Sequence, residues 1–232
     1  MTSNEEPLVT SREAAVTFGT GHTAVVAVHG ATCAVHRGDR IAISGPSGSG
    51  KSTLLHLLAG LERPTSGVID WPSSIGPGDP SAAPTGSIGL VFQTPSLIPT
   101  LTVAENVALP LQLAGLEPGE TARRTIACLD VVDAASLYDR LPEELSGGQA
   151  QRVAVARVLA IRPPLILADE PTGQLDHASG QRVIDALLTA ADEIGAALVI
   201  TTHDVTISTR LPTHWNMHEG RLSAAEPAGA NR

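Results

Sequence analysis

Apolar positions along this chain follow more than one rhythm, and each rhythm predicts a different kind of element. Between residues 14 and 44, short β-type segments at 14–18, 24–28, 31–36 and 40–44 are separated by Gly, His and Arg-Gly-Asp turns. They predict a small antiparallel sheet leading into a core strand. After Gly50 the spacing of Leu54, Leu55, Leu57 and Leu58 fits a helix buried on most sides, with Gly60 placed to cap its C-terminus. Helical periodicity returns over 102–116 and again over 121–137, and Pro118-Gly119 is expected to be the break between the two. The final third alternates: helix from about Gly148, strand 165–168, helix 178–194, strand 196–201, helix from Asp204 and a short terminal segment. Strands alternating with helices predict a mainly parallel sheet covered by helices.

Residues 71–86 are crowded with Pro, Ser and Gly and are expected to form an exposed loop. No internal repeat of fixed period occurs, which excludes a solenoid. The expected organisation is one domain over 8–222, with a helical subdomain at about 95–160 and a C-terminal tail at 223–232. A length of 232 residues with 42% hydrophobic content supports a core of this size. The 15 basic and 24 acidic residues give a net charge of −9, so the chain lacks the electrostatic footprint of a nucleic-acid binder. Its polar, acidic start does not read as a secretory signal, and the expected location is cytoplasmic. No apolar run approaches the roughly 20 residues that a membrane-spanning helix needs. The two cysteines, Cys33 and Cys128, lie far apart without metal-ligand spacing and are expected to be buried thiols.

Chemistry enters with Gly45-Pro46-Ser47-Gly48-Ser49-Gly50-Lys51-Ser52-Thr53, which satisfies the G-x-x-x-x-G-K-[ST] pattern between a predicted strand and a predicted helix. Glycines let backbone N–H groups approach phosphate oxygens, the helix N-terminus adds its positive end, and Lys51 supplies a point charge. Ser52 would place its hydroxyl on Mg²⁺. The strand 165–168 runs into Asp169 and Glu170, two carboxylates at the C-terminal edge of an apolar segment. Alone, this could be a solvated acidic strand end. Beside a phosphate loop, it resembles the segment that holds Mg²⁺ through Asp169 and orients the attacking water through Glu170.

Leu145-Ser146-Gly147-Gly148-Gln149 narrows the field, because it resembles the signature sequence of ABC ATPases. Physically it is a capped helix start, with Ser146 as the cap and free N–H groups behind it, and so a second anion-binding end. The resemblance implies a P-loop NTPase fold of the α/β (RecA-like) class: a mainly parallel core sheet, an antiparallel β subdomain and an α-helical subdomain. It covers about residues 18–220 and is closest to the branch serving lipoprotein release, macrolide export and related complexes (the LolD/MacB/FtsE type).

The same resemblance implies roles for further residues. Gln93 corresponds to a glutamine that reaches Mg²⁺ or the water and senses the membrane partner. The segment around Asp176 lines a dimer interface, His203 contacts the terminal phosphate, and Phe18 stacks on adenine. Read plainly, Gln93 and His203 could instead be satisfied polar groups at strand ends, and Phe18 could belong to the core. Two departures from the branch are mild, Phe18 for the commoner tyrosine and Gln174 for an asparagine; Ala150 also stands where a longer polar side chain is common.

What the family implies is a head-to-tail homodimer. ATP on the loop of one copy is capped by Ser146, Gly147, Gly148 and Gln149 of the other, and its hydrolysis drives a separate integral membrane permease docked near residues 94–116. Such a protein would sit peripherally on the inner face of the cell membrane. Two alternatives are a soluble ABC-type ATPase of DNA repair or translation and a regulatory nucleotide binder. The single nucleotide domain and acidic balance count against the first, and intact Lys51, Asp169, Glu170 and His203 against the second.

Overall fold

The computed structural model describes residues 6–72 and 86–224. Its backbone begins with β1 (Val9–Phe18) and β2 (Val25–Val35), which pair antiparallel, and β4 (Ser66–Asp70) joins the free edge of β1. The expected small antiparallel sheet is therefore present, with two differences. The segments at 24–28 and 31–36 are one continuous strand, because the registers of β1 and β2 shift at bulges instead of breaking at Gly30. Ser66–Asp70, too short and polar to show a strand rhythm, is held by pairing with β1.

A second sheet carries the molecule. Its order is β5 (Ile88–Val91), β6 (Leu165–Asp169), β7 (Ala197–Thr201), β3 (Arg40–Ser44), β8 (Thr213–His218) and β9 (Arg221–Ala224). All neighbours pair parallel except β8 and β9. Every residue of β6 and β7 is buried, as expected for central strands covered on both faces. Alternation along the strands then divides the core. Ile41, Ile43, Leu165, Leu167 and Val199 pack toward α1 (Lys51–Leu58) and the antiparallel sheet. Ala42, Ile166, Ala168, Leu198 and Ile200 pack toward α4 (Gly147–Ala160) and α5 (His177–Ile194).

The helix α1 buries Leu54, Leu55, Leu57 and Leu58 completely, each such side chain contributing about 1.5–3 kcal/mol. It stops where Gly60, at φ +70°, turns the chain away. The helices α2 (Val103–Leu113) and α3 (Pro118–Val131) pack on each other and on α4. Pro118 begins α3 instead of separating two helices, because a first-turn proline loses no hydrogen bond. That helix also ends at Val131, short of 137, where Asp133 takes a left-handed conformation and a single 3-10 turn follows at Ala135–Leu137. After α5 and β7, the helix α6 (Val205–Ser208) is one turn long, and the short terminal segment is the β8–β9 hairpin. Of the expected loop at 71–86, residues 73–85 lie outside the described residues, as does the tail from 225.

Candidate functional site

The loop between β3 and α1 is shaped by contacts that exclude side chains. A Cβ on Gly45, at φ +150°, would stand 2.1 Å from the Met217 carbonyl oxygen of β8. One on Gly50, at φ +98°, would stand 2.2 Å from the Ala27 carbonyl oxygen of β2. The loop is thus wedged between the two sheets, and α1 opens directly behind it with no side-chain cap on its N-terminus. Uncapped helix N–H groups facing a cleft form an anion site. That cleft, of about 310 Å³, is lined by Ala27, by residues 47–53, and by Gln93 and Glu170.

Lys51 is buried at 4% exposure, and its Nζ donates to the carbonyl oxygens of Gly45 at 2.9 Å and Pro46 at 3.0 Å. It also lies 3.5 Å from Glu170 Oε1, while His203 Nδ1 lies 3.5 Å from Glu170 Oε2. Glu170 therefore sits between a fixed cation and an imidazole. Its own backbone has a φ of +39°, which turns the chain sharply at the end of β6.

Thr201, fully buried on β7, ties the Asp169 carboxylate to the backbone of Glu170. Its hydroxyl donates to Asp169 Oδ1 at 2.7 Å and accepts the Glu170 N–H at 2.8 Å. Ser52 Oγ donates to the same Asp169 oxygen at 2.9 Å. A hydroxyl and a carboxylate in contact at the mouth of a phosphate loop form a hard oxygen set of the kind Mg²⁺ accepts. Gln93 joins this group through Gly173, where a Cβ would stand 3.0 Å from Gln93 Nε2 and 3.5 Å from Glu170 Oε2.

The structure thus brings Lys51, Ser52, Gln93, Asp169, Glu170 and His203 to one place. Gln93 lines the cleft, and His203 Nδ1 meets Glu170 from its exposed side. Phe18, at the end of β1, is 46% exposed and is not core; it pairs with Val25 and does not line the cleft.

The signature segment stands elsewhere. Ser146 caps α4 by a reciprocal pair: its Oγ accepts the Gln149 N–H at 3.3 Å, and its own N–H donates to Gln149 Oε1 at 2.9 Å. Ser146 and Gly147 are exposed, and no residue of 146–149 lines the cleft. Asp176 caps α5, accepting the Ser179 N–H at 3.0 Å, and the hydrogen bonds from Ser179 hold its carboxyl below the usual range. A Cβ on Gly148 would stand 3.0 Å from the Ser179 side chain, so the N-termini of α4 and α5 are neighbours. Two helix N-termini therefore stand apart, that of α1 at the cleft and that of α4 exposed.

Sequence reasoning missed Thr201, which gives no local signal because its role depends on the register Asp169↔Thr201. It also missed Gln151 and Arg157 on α4, whose side chains reach the segment around Gln93. The two cysteines are free thiols, as expected, but half-buried instead of buried, and desolvation pushes them up to about 12 for Cys33 and about 11 for Cys128.

Comparison with known proteins identifies relatives over nearly the whole chain. A family model described as "ABC transporter" matches residues 28–173. The lipoprotein-releasing system ATP-binding protein LolD of Legionella pneumophila (strain Paris) is 42% identical over 224 residues, covering 94% of this chain and 98% of that protein. A dimeric bacterial ABC transporter cassette superposes with a TM-score of 0.85 at 32% identity, covering 95% of this chain and 99% of that one. A dimeric post-hydrolysis state of an ATP-binding cassette, bound to ADP and Pi, superposes at 0.84 with the same identity and coverage.

Proposed function

Because this chain belongs to the ABC transporter family, as an ATP-binding subunit with ATPase activity, we propose that it works as a head-to-tail homodimer that closes around two ATP. The observation that carries this is the separation of its two anion-binding helix ends. The α1 end, with Lys51, faces the cleft; the α4 end, with Ser146, faces solvent on another surface. One phosphate meets both only when a second copy supplies the second end.

In this reading residues 45–53 cradle the phosphates and Phe18 offers its exposed ring to the adenine. Lys51 Nζ exchanges the Gly45 and Pro46 carbonyls for phosphate oxygens, a stronger, charge-assisted bond. Ser52, Asp169 and Gln93 would hold Mg²⁺, which when bound neutralises phosphate charge. Glu170 orients a water and accepts its proton as the water oxygen bonds to the terminal phosphorus and the bond to ADP breaks. His203, in contact with the other oxygen of Glu170, fixes that carboxylate and reaches the terminal phosphate. Ser146, Gly147, Gly148 and Gln149, with Asp176, act on the ATP held by the other copy.

The work done is carried by a separate membrane permease. The relative named for lipoprotein release, aligned over nearly its whole length, favours that type of transporter over nutrient import. The docking surface is the segment 94–116, which joins Gln93 to α2, and the protein sits on the inner face of the membrane through that contact. The net charge of −9 opposes the DNA-repair or translation reading.

Glu170→Gln keeps the shape of the site and removes the proton acceptor. The variant is expected to bind ATP-Mg²⁺, lose turnover, and sediment as a dimer with ATP but not with ADP. A variant that stays monomeric at saturating ATP-Mg²⁺ contradicts the sandwich.

A further inference from the structure

Two side chains of α4 grip the segment that carries Gln93, one on each side of it. Gln151, 1% exposed, donates from Nε2 to the Phe92 carbonyl oxygen at 2.8 Å. Arg157 donates from Nη1 to the Ser96 carbonyl oxygen at 2.7 Å and from Nη2 to Ser96 Oγ at 3.0 Å. Phe92 directly precedes Gln93 and Ser96 follows three residues later, so Gln93 is bracketed by anchors on a single helix. That helix begins at Ser146, about 7.5 Å along its axis from Gln151 at 1.5 Å per residue. Its N-terminal end faces out of the molecule, whereas Gln93 lines the cleft.

From this geometry we infer that Gln151 and Arg157 are positioning residues that couple the two ATP sites of the dimer. The inference rests on the dimer reading above. When the α4 end of one copy is drawn onto the ATP of the other, a stiff helix carries its anchors with it. The anchors move the backbone on both sides of Gln93, and with it the amide that sits beside Glu170 in the copy's own cleft. Engagement at one site then sets the position of a water- and Mg²⁺-facing group at the other. Neither anchor lines the cleft, so neither touches the nucleotide bound in its own copy.

The test is ATPase rate against ATP-Mg²⁺ concentration for the full chain. Gln151→Met keeps the length of the side chain and removes its donors. Arg157→Met removes the fork, while Arg157→Lys keeps a charged donor. The dimer has two sites, so a cooperative parent has a Hill coefficient between about 1 and 2. Both methionine variants are expected to fall toward about 1, with a loss of about 2- to 30-fold in the coupling between first and second ATP. Affinity for a fluorescent ATP analogue under conditions where the protein is monomeric should be unchanged, and Arg157→Lys should recover part of the cooperativity.

A purely structural role would lower the melting temperature or kcat and leave the Hill coefficient alone. Methionine variants that fold and keep the parent's Hill coefficient overturn the inference. If Gln151→Met does not fold, the Arg157 pair decides by the same criterion. A parent that is itself non-cooperative also overturns it, and sedimentation of Glu170→Gln with ATP then tells whether the dimer reading has failed with it.

Discussion

At Gly50 a single hydrogen decides whether the phosphate loop can sit between the two sheets. A methyl group there would meet the Ala27 carbonyl oxygen at 2.2 Å, backbone against backbone, and φ of +98° strains any L side chain. Gly48, at φ +75°, has open space around it, so alanine there costs only the conformational term. The Gly48→Ala substitution is expected to lose about 1–2 kcal/mol, the left-handed penalty alone. Gly50→Ala should lose more than that and abolish ATP binding, because the loop must leave β2 to relieve the clash. Urea denaturation and nucleotide titration of the two variants check this; equal losses would show that the wedge is unimportant. The motif itself was legible because its spacing is local. What the sequence withheld was the identity of the groups pressing on each glycine. Thr201 was hidden for the same reason: nothing in the chain says which strand lies beside β6.

Elements announce themselves by caps and rhythm, and here the stops were harder to read than the starts. Thr102 was legible as the start of α2, where its hydroxyl accepts the Glu105 N–H at 3.2 Å and Glu105 Oε2 accepts the Thr102 N–H at 2.8 Å. The end of α3 was not legible, because the apolar residues past Val131 keep a helical spacing while Asp133 turns the backbone. Less visible still is Asn106, a polar residue wholly buried inside α2. Its Oδ1 accepts the Ile98 N–H at 2.8 Å, and its Nδ2 donates to the carbonyl oxygens of Ile98, Leu101 and Thr102. It thus fastens the segment after Gln93 onto the helix. Asn106→Leu leaves at least the Ile98 N–H and the Leu101 carbonyl without their partner. At about 1–3 kcal/mol for each unpaired group, the expected loss is about 2–6 kcal/mol by urea denaturation. A loss below about 1 kcal/mol would mean that the segment relaxes freely into water and that Asn106 does not hold it.

The whole molecule adds what no element contains. Alternation along β3, β6 and β7 sends one set of side chains toward the antiparallel sheet and the other toward the helices, so the phosphate loop and the signature end are built on opposite layers of one sheet. Alternating strands and helices made the helix-covered parallel sheet legible, while its layering and the strand order that aligns Asp169 with Thr201 required the fold. Charge belongs to this scale as well. The chain carries −9, and among the described residues no helix is long and apolar enough to cross a membrane. The cytoplasmic leaflet is itself negative, at about −30 mV, so a strongly acidic protein is repelled from it unless another protein holds it there. The repulsion is strongest where screening is weakest. The chain alone is therefore expected to stay in the soluble fraction when floated with phosphatidylglycerol-containing vesicles at low ionic strength. It should remain with membranes from cells that co-express a lipoprotein-release-type permease. Flotation with protein-free vesicles would contradict this, because attachment would then come from the chain's own surface and the permease would not be needed to place it.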